Sequence, residues 1–351
     1  MESSAQTVSV PVLKDGWLMG KGFDYSLIAG TALLALTGGM VSTHWPSIFY
    51  TVMLLDLWLL GYHHVIATFT RLTFDLKSFK EYQLLVWLLP MLVAVGVVAA
   101  VWANGAWILA TTYLYWQWFH YMRQSYGIAR VYQRKGNAAI PFDEWIMYSL
   151  PVAGILYRSY QNPGTFLGLE LKVIPVPYWL YQMALVISLG AILWWLVHQI
   201  RAYRNGQGTL GYTLFMMTHF MVFGVGYLLI EDINYGWLAM NIWHNAQYIL
   251  FVWMYNNKRF KGGIDPNHRF FSMISQTKNQ WLYYLVCLGI STVMYFAIVK
   301  FLSSIRITMS LSTFPMVLII YQTINFHHYI VDGIIWKVRK QQAVRETIGI
   351  A

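Results

Sequence analysis

The stretch Asn325-Phe326-His327-His328-Tyr329-Ile330-Val331-Asp332-Gly333 closes an apolar run that begins near Met309. A helix needs about 20 apolar residues to cross the hydrocarbon core of a bilayer, so a run of this length predicts a membrane-spanning helix. Ionisable side chains are costly inside hydrocarbon and usually face a protein interior or a water-filled cavity. The two histidines and the aspartate therefore predict a polar site inside a membrane-embedded fold.

The composition of the whole chain agrees with this interpretation. Of the 351 residues, 58% are hydrophobic and only 11% are charged, whereas soluble domains have about 25% charged residues. The 17 Trp and 25 Tyr are typical of the aromatic belts at the two membrane interfaces. We attribute the net charge of +10 to loops that face anionic lipids. Membrane lipids are therefore the expected partners, and nucleic acid is not.

Hydropathy predicts an all-α, polytopic membrane bundle of about ten helices. The predicted segments are 25–43, 46–69, 82–103, 105–127, 142–159, 178–199, 209–230, 233–255, 281–301 and 309–336. With ten spans, 20 of the 24 basic residues fall on one side, and only Arg158, Lys172, Lys300 and Arg306 fall on the other. Basic residues mark the cytoplasmic side, so both termini are expected in the cytoplasm.

This topology defines three regions and a location. Residues 1–24 form a cytoplasmic segment, 25–336 a single transmembrane domain, and 337–351 a basic cytoplasmic tail. The region between Arg158 and Pro177 is rich in turn signals and is expected to be a loop. We expect the protein in a bacterial inner membrane.

Several functional classes lack support in the sequence. Cys287 is the single cysteine, which excludes an intramolecular disulfide, a thiolate zinc site and a self-contained iron–sulfur cluster. The chain contains no nucleotide-binding glycine pattern, no GxSxG and no HExxH. The sequence therefore contains no motif that would indicate a kinase, a serine hydrolase or a zinc protease.

The histidines within the predicted segments form a pattern. They lie on even-numbered segments, in the half approaching the basic side, except for one near the middle of the seventh segment. We predict a shared metal site from His63, His64, His120, His219, His244, His327 and His328. Imidazole suits iron, copper, nickel and zinc. Because neighbouring helical side chains point about 100° apart, one histidine of each adjacent pair is expected to bind and the other to support it.

Polar residues at helical spacing accompany these histidines. A ligating histidine usually donates its second ring proton to a carboxylate, carbonyl or amide, and residues three or four apart share a helix face. Asp332 and Asp56 are the candidate catalytic carboxylates. The predicted supporting residues are Gln124, Asn241, Gln247 and Asn325.

A buried metal held mainly by neutral histidines indicates oxidative chemistry on a substrate that arrives through the lipid. We expect a membrane-bound, metal-dependent oxygenase, hydroxylase or desaturase with one or two non-haem iron ions, or another transition metal. Its partners would be a hydrophobic substrate and an electron donor. The alternatives are a proton- or cation-coupled transporter that uses the intramembrane histidines and aspartates, a haem protein with two facing histidines, and an acyltransferase with His244 as base.

The short motifs Tyr62-His63-His64, Phe119-His120-Tyr121, Trp243-His244-Asn245 and His327-His328-Tyr329 resemble those of polytopic, histidine-rich membrane iron oxygenases. The chain is similar to the carotene-cleaving Brp/Blh family, which implies a helical membrane fold with a single non-haem iron. Membrane fatty-acid desaturases and hydroxylases are a second similar group. Their HxxxH and HxxHH boxes are absent from this sequence, so their ligand set and di-iron centre do not carry over.

Overall fold

The computed structural model describes residues 15–73, 76–136, 143–309, 316–337 and 341–350. Nearly all of these residues are helical. The helices are α1 (Lys21–His44), α2 (Pro46–Thr73), α3 (Leu76–Asn104), α4 (Trp107–Gly136), α5 (Asp143–Gln161), α6 (Tyr178–Arg204), α7 (Leu210–Leu229), α8 (Ile233–Arg259), α9 (Arg269–Ile274), α10 (Gln280–Met309), α11 (Met316–Ile335) and α12 (Gln342–Ile348). Turns of π-helix lie within α1, α2 and α7, at Ser26–Gly30, Leu57–Gly61 and Val225–Leu229.

The all-α prediction is confirmed, and the chain has the helices of an integral membrane protein. Among the described residues, six helices are long and apolar enough to span a membrane: Lys21–His44, Pro46–Thr73, Phe79–Asn104, Tyr178–Arg204, Leu210–Leu229 and Thr277–Ile298. Helices α4, α5, α8 and α11 cover the other four predicted segments and are not among these six. Residues 310–315 of the last predicted segment lie outside the described part of the chain.

Helix α8 is the centre of the bundle. Every residue from Gly236 to Ile249 is buried, and a helix buried on all sides belongs in a protein core. Its first turn is capped by Asp232, whose side chain accepts hydrogen bonds from the backbone of Asn234 and Tyr235. Its neighbours include α1, α2, α4 and α7. The polar side chains of α8 are therefore shielded from lipid by protein.

Glycines allow two helices to approach α8 closely. A Cβ on Gly38 of α1 would collide with the Ile242 side chain, and one on Gly39 would lie 2.8 Å from the Ala239 Cβ. At Gly236 of α8, a Cβ would collide with the backbone oxygen of Gly226 in α7. Small residues at such crossings are typical of helix packing in membranes.

Arg158 fixes the end of α7 against the start of α8. Its guanidinium is buried and donates hydrogen bonds to the carbonyl oxygens of Gly226 (2.9 Å), Ile230 (2.5 Å) and Glu231 (2.6 Å). The last carbonyls of a helix have no partner within the helix. Arg158 of α5 satisfies carbonyls at this end, which explains a buried cation without a carboxylate partner among these contacts.

The segment expected to be a plain loop after α5 contains a β-hairpin. Strands β1 (Thr165–Phe166) and β2 (Leu169–Glu170) pair antiparallel, with Phe166 opposite Leu169. The two loop residues have positive φ angles of 49° at Leu167 and 78° at Gly168, which is the backbone of a tight hairpin turn. The buried Phe166 ring packs against Tyr113 and Trp237. The hairpin therefore covers one end of α4 and α8.

The C-terminal tail packs against the bundle. In α12 the side chains of Val344 and Ile348 are buried. The Lys258 ammonium, near the end of α8, donates a hydrogen bond of 2.8 Å to the carbonyl oxygen of Ile348. The region predicted as a basic tail therefore includes a docked helix. Residues 338–340 and 351 lie outside the described chain.

The Gly226–Gly236 crossing predicts a sharp sensitivity to one methyl group. We expect Gly236→Ala to lower the free energy of unfolding by about 1–3 kcal/mol or more, because the added Cβ meets rigid backbone. Alanine has the higher helix propensity, so a loss would report on packing. The measurement is the thermal unfolding midpoint in detergent. Gly190→Ala and Gly289→Ala are matched controls, since their Cβ atoms meet nothing within 4 Å; an equal effect in these controls would contradict the packing explanation.

Candidate metal centre

Four buried histidines from four helices converge inside the bundle. They are His64 of α2, His120 of α4, His244 of α8 and His328 of α11, and we call them the histidine group. Each offers one ring nitrogen, and these nitrogens lie within 4.8 Å of one another. The histidines are far apart in sequence, so the arrangement is a product of the helix packing.

The spacing is close to that of ligands on a single ion. With metal–nitrogen bonds of about 2.1 Å, two nitrogens on opposite sides of an ion are about 4.2 Å apart. The widest separation in the histidine group exceeds this by a few tenths of an ångström, whereas the Nε2 atoms of His64 and His328, 2.7 Å apart, would need to move apart by a similar amount. Four imidazoles and no thiolate form a donor set that suits iron, copper, nickel or zinc.

The His64 ring is oriented by its own helix. Its Nδ1 lies 3.2 Å from the carbonyl oxygen of Gly61, at the end of the π-helical turn. A carbonyl only accepts, so Nδ1 carries the proton and Nε2 carries the lone pair. Nε2 points to the centre of the group, where it lies 2.7 Å from His328 Nε2. A hydrogen bond to the outer nitrogen is the usual support of a metal-binding histidine.

A chain of hydrogen bonds orients His328 in the same way. Trp336 Nε1 donates to the Tyr248 hydroxyl at 3.1 Å, and Tyr248 donates to Asp332 Oδ1 at 2.7 Å. The Thr68 hydroxyl lies 2.7 Å from Tyr248 Oη and 3.4 Å from Asp332 Oδ1. Because the single Tyr248 proton is donated to Asp332, the contact between Thr68 and Tyr248 is donated by Thr68. The 3.0 Å contact between Thr68 Oγ1 and His328 Nδ1 is then donated by the ring.

These two orientations bring lone pairs face to face. If Nδ1 carries the proton in both His64 and His328, their Nε2 atoms meet at 2.7 Å without a proton between them. Two lone pairs at that distance repel each other, and a shared cation removes the repulsion. Either a cation at the centre of the group or a proton on one of the two Nε2 atoms removes this repulsion, so the centre is a place for a positive charge.

The other two members present free nitrogens. Neither ring nitrogen of His244 has a hydrogen-bond partner within the described chain, and the same is true of His120 Nε2. Buried polar atoms in folded proteins are normally paired. The His120 ring stacks on Tyr329 at 4.4 Å, and the Tyr121 ring lies 4.4 Å from the His244 ring. Aromatic packing thus holds both imidazoles in place while their nitrogens stay available.

Asp332 lies at the edge of the histidine group. Its Oδ2 is 3.4 Å from His328 Nε2 and 3.9 Å from His120 Nε2. Its Oδ1 is occupied by Tyr248 and Thr68. The free carboxylate oxygen therefore faces the same centre as the imidazoles, where it could balance the charge of a cation or accept a proton.

Three predicted ligands lie outside the group. His327 Nε2 donates to the carbonyl oxygen of Leu85 at 2.7 Å. His219 contacts Ser125 Oγ at 2.8 Å through Nδ1 and the carbonyl oxygen of Met147 at 2.9 Å through Nε2. His63 packs against the Tyr284 ring, with no hydrogen-bond partner among the residues described. The structure thus brings one histidine of each adjacent pair into the group.

Asp56 belongs to a second polar cluster beside the group. Its carboxylate accepts hydrogen bonds from Asn241 Nδ2 (2.5 Å) and Asn245 Nδ2 (3.3 Å). Asn241 Oδ1 in turn accepts from the Tyr121 hydroxyl (2.5 Å) and from Gln117 Nε2 (3.1 Å). Asp56 therefore orients amides next to His244, and its hydrogen bonds within the described chain are to these amides.

The predicted supporting residues have different environments. Gln124 Nε2 donates to the backbone oxygen of His244 at 3.0 Å. Gln247 is buried with both amide atoms unpaired among the described residues. Asn241 and Asn325 line a small cavity that also touches His64 and His244.

The supporting residues predicted from the sequence do not include Thr68, Tyr248 or Trp336. Thr68 follows His64 by four residues and Tyr248 follows His244 by four, so helical spacing alone could have identified both. Trp336 follows Asp332 by four. An aromatic residue near a membrane interface is ordinary, so its hydrogen bond to Tyr248 carried no signal in the sequence.

Comparison of the chain with family models, with curated proteins and with solved structures found no match. The geometry of the histidine group is therefore the main guide to function.

Proposed function

We propose that this protein is a membrane-embedded, metal-dependent oxidoreductase, a non-haem iron oxygenase, hydroxylase or desaturase that acts on a lipid or another hydrophobic substrate. The observation that carries the proposal is the convergence of four buried imidazoles with nitrogens free to bind a metal. The histidine group would hold the ion, and Asp332 Oδ2 would face it.

Among the metals that this donor set accepts, iron best suits the oxidation of a lipid substrate. Iron held by histidines supplies oxidation by dioxygen, and hydroxylation follows RH + O2 + 2 e− + 2 H+ → ROH + H2O. Dioxygen is the oxidant, and an electron-carrier protein would supply the two electrons. The resemblance of the histidine motifs to membrane iron oxygenases points the same way. Copper, zinc and nickel are the alternatives that the donor set also accepts.

The residues around the group have separate tasks in this proposal. Thr68 and Tyr248 fix the orientations of the His328 ring and the Asp332 carboxylate through hydrogen bonds. Asp332 offers a carboxylate oxygen that can take or give a proton beside the imidazoles. Burial among helices excludes bulk water, which protects reactive intermediates from side reactions.

The geometry argues against a haem centre. A haem held by two facing histidines needs them on opposite sides of the macrocycle, whereas here four imidazoles meet within 4.8 Å. The cavity beside them has a volume of about 20 Å³, room for about one water molecule and far too little for a porphyrin. Transport is the remaining alternative, because Asp56 and Asp332 are both buried carboxylates. A resident metal would separate the two, since a transported cation is not retained through purification.

We further propose that the chain crosses a bacterial inner membrane ten times, with both termini in the cytoplasm. The charge bias of the loops supports this arrangement. The β-hairpin covers the start of α8, whereas Lys258 near the end of α8 contacts the C-terminal helix. The hairpin and the C-terminal helix therefore lie toward opposite ends of the bundle, as an odd number of crossings between them requires.

The ten-span arrangement predicts opposite labelling of two exposed positions. In a Cys287→Ala background, Glu170→Cys in the hairpin should react with a membrane-impermeant maleimide in intact cells. Gly262→Cys, in the connection after α8, should react only after permeabilisation. Both positions are exposed, so accessibility within the protein is matched. Labelling of both from the same side would overturn the topology.

Metal analysis tests the proposed centre directly. Purified protein should contain about one iron per chain and show no Soret band. The substitutions His64→Ala and His328→Ala should each remove most of the metal, since each deletes a ligand. The neighbouring substitutions His63→Ala and His327→Ala are matched controls, because these residues share the same helices but lie outside the group. The same test applies to His120→Ala and His244→Ala. Full metal retention in the four ligand variants would end the proposal.

The hydrogen-bond chain predicts a smaller effect on metal affinity. We expect Thr68→Val and Tyr248→Phe to weaken metal binding about 10–100-fold, the usual cost of losing a support for a metal ligand. Competition with a chelator measures this affinity. Thr70→Val and Tyr283→Phe are matched controls. The hydroxyls of Thr70 and Tyr283 form a similar buried contact, 3.3 Å from each other, at a different place in the bundle. Equal losses in both pairs would show a general packing effect.

A further inference from the structure

A small polar cavity adjoins the histidine group. His64 and His244 line it on one side, and Tyr321, Asn325 and Asn245 line it elsewhere. Its volume of about 20 Å³ fits one water-sized chemical group. Thr68, Tyr248 and Asp332 do not line it. The cavity therefore gives access to the imidazoles of His64 and His244 from a side that Asp332 does not line.

The cavity offers both a hydrogen-bond donor and an acceptor. Asn325 is buried, its Nδ2 has no hydrogen-bond partner of normal geometry in the described part of the chain, and the Tyr321 hydroxyl is a polar group beside it. Asn245 donates from Nδ2 to Asp56, so its amide oxygen is the atom through which this side chain could accept a hydrogen bond from a ligand. A hydroxyl group is at once a donor and an acceptor. Like a water molecule, it is small enough for the cavity and can pair with both amides.

The lining excludes other head groups. No Lys, Arg, Asp or Glu is found among the described residues that line the cavity. A phosphate is too large for this volume, and a carboxylate would find no cationic side chain on the lining, so the proposed metal ion would be its single countercharge. A hydrocarbon end would leave the Asn325 amide unpaired. A neutral, oxygen-bearing head group fits best.

A lipid-facing groove lies next to the cavity. The groove is lined by Thr51, Leu54, Leu55, Trp58, Tyr62 and Leu57, all from α2. Leu57 also lines the cavity, so one side chain separates the groove from the polar space beside the histidines. Leu54, Leu55 and Trp58 are exposed large hydrophobic residues. Leu57 also begins the π-helical turn that ends at Gly61, whose carbonyl orients His64.

We infer that the substrate is a single-chain neutral amphiphile with a hydroxyl head, such as a long-chain primary alcohol. The hydroxyl occupies the cavity between Asn325 and Asn245, and the chain lies in the groove on the lipid-facing side of α2. Leu57 is the gate between the two. This inference rests on the proposed function, because it assigns the substrate of the same metal site.

Photolabelling in proteoliposomes tests the inference. Three probes share a sixteen-carbon chain with a diazirine near one end, and they differ only in ending there with a methyl, a hydroxyl or a carboxylate group. Labelled positions are mapped by mass spectrometry. The hydroxyl probe should label the peptide that contains Tyr321 and Asn325, and the other two should label it at least tenfold less.

Two variants and a control locate the head group and the gate. Asn325→Leu should lower cavity labelling by the hydroxyl probe about tenfold, because the donor is lost. Leu57→Trp should lower it similarly by filling the gate while labelling of the groove persists. Leu84→Trp is the control, because Leu84 is an exposed residue of α3 and lies outside both the groove and the cavity. It should leave labelling unchanged.

The outcomes separate this inference from the proposed function. Equal cavity labelling by the three probes, or none by the hydroxyl probe, would overturn the inference. Unchanged labelling in Asn325→Leu would overturn the assigned head-group contact. Metal content is measured on the same preparations. Metal without cavity labelling overturns the substrate assignment alone, whereas selective labelling of a metal-free protein overturns the metal proposal and leaves the alcohol site standing.

Discussion

The whole structure depends on enclosing a polar helix within a membrane-embedded chain. Helix α8 carries Asn241, His244, Asn245 and Gln247 within one continuously buried stretch. None of these side chains can face hydrocarbon without a large cost in free energy. Protein must therefore surround α8 on every side, and the close glycine crossings with α1 and α7 make that enclosure tight.

Enclosure also determines what the site can do. The helices that surround α8 supply His64, His120 and His328, so the four imidazoles come from helices that pack against one another. Their outer contacts, from the Gly61 carbonyl and the Thr68 hydroxyl, turn free nitrogens inward. The two buried carboxylates, Asp332 and Asp56, have different relations to the histidine group. The first carboxylate contacts the imidazoles, and the second orients the amides of the adjacent cavity.

The sequence predicted the all-helical class because apolar runs of membrane length are a strong signal. It also selected every member of the histidine group, since ionisable residues in such runs are rare. It could not separate His64 from His63 or His328 from His327, because that choice depends on helix rotation. It included His219, which packs instead against Ser125 and Met147. The hairpin after α5 was missed because two-residue strands are too short for a periodic pattern.

The burial of α8 has a consequence for how the protein is made. A helix with this many amides and imidazoles is not among the six apolar helices, so it would partition poorly into lipid by itself. Only Ile230, Glu231 and Asp232 separate it from the end of α7, and Arg158 holds that connection through its carbonyls. Helices α7 and α8 can therefore enter the bilayer as one hairpin, with the apolar partner carrying the polar one. Insertion of α8 would then be coupled to its packing against α7.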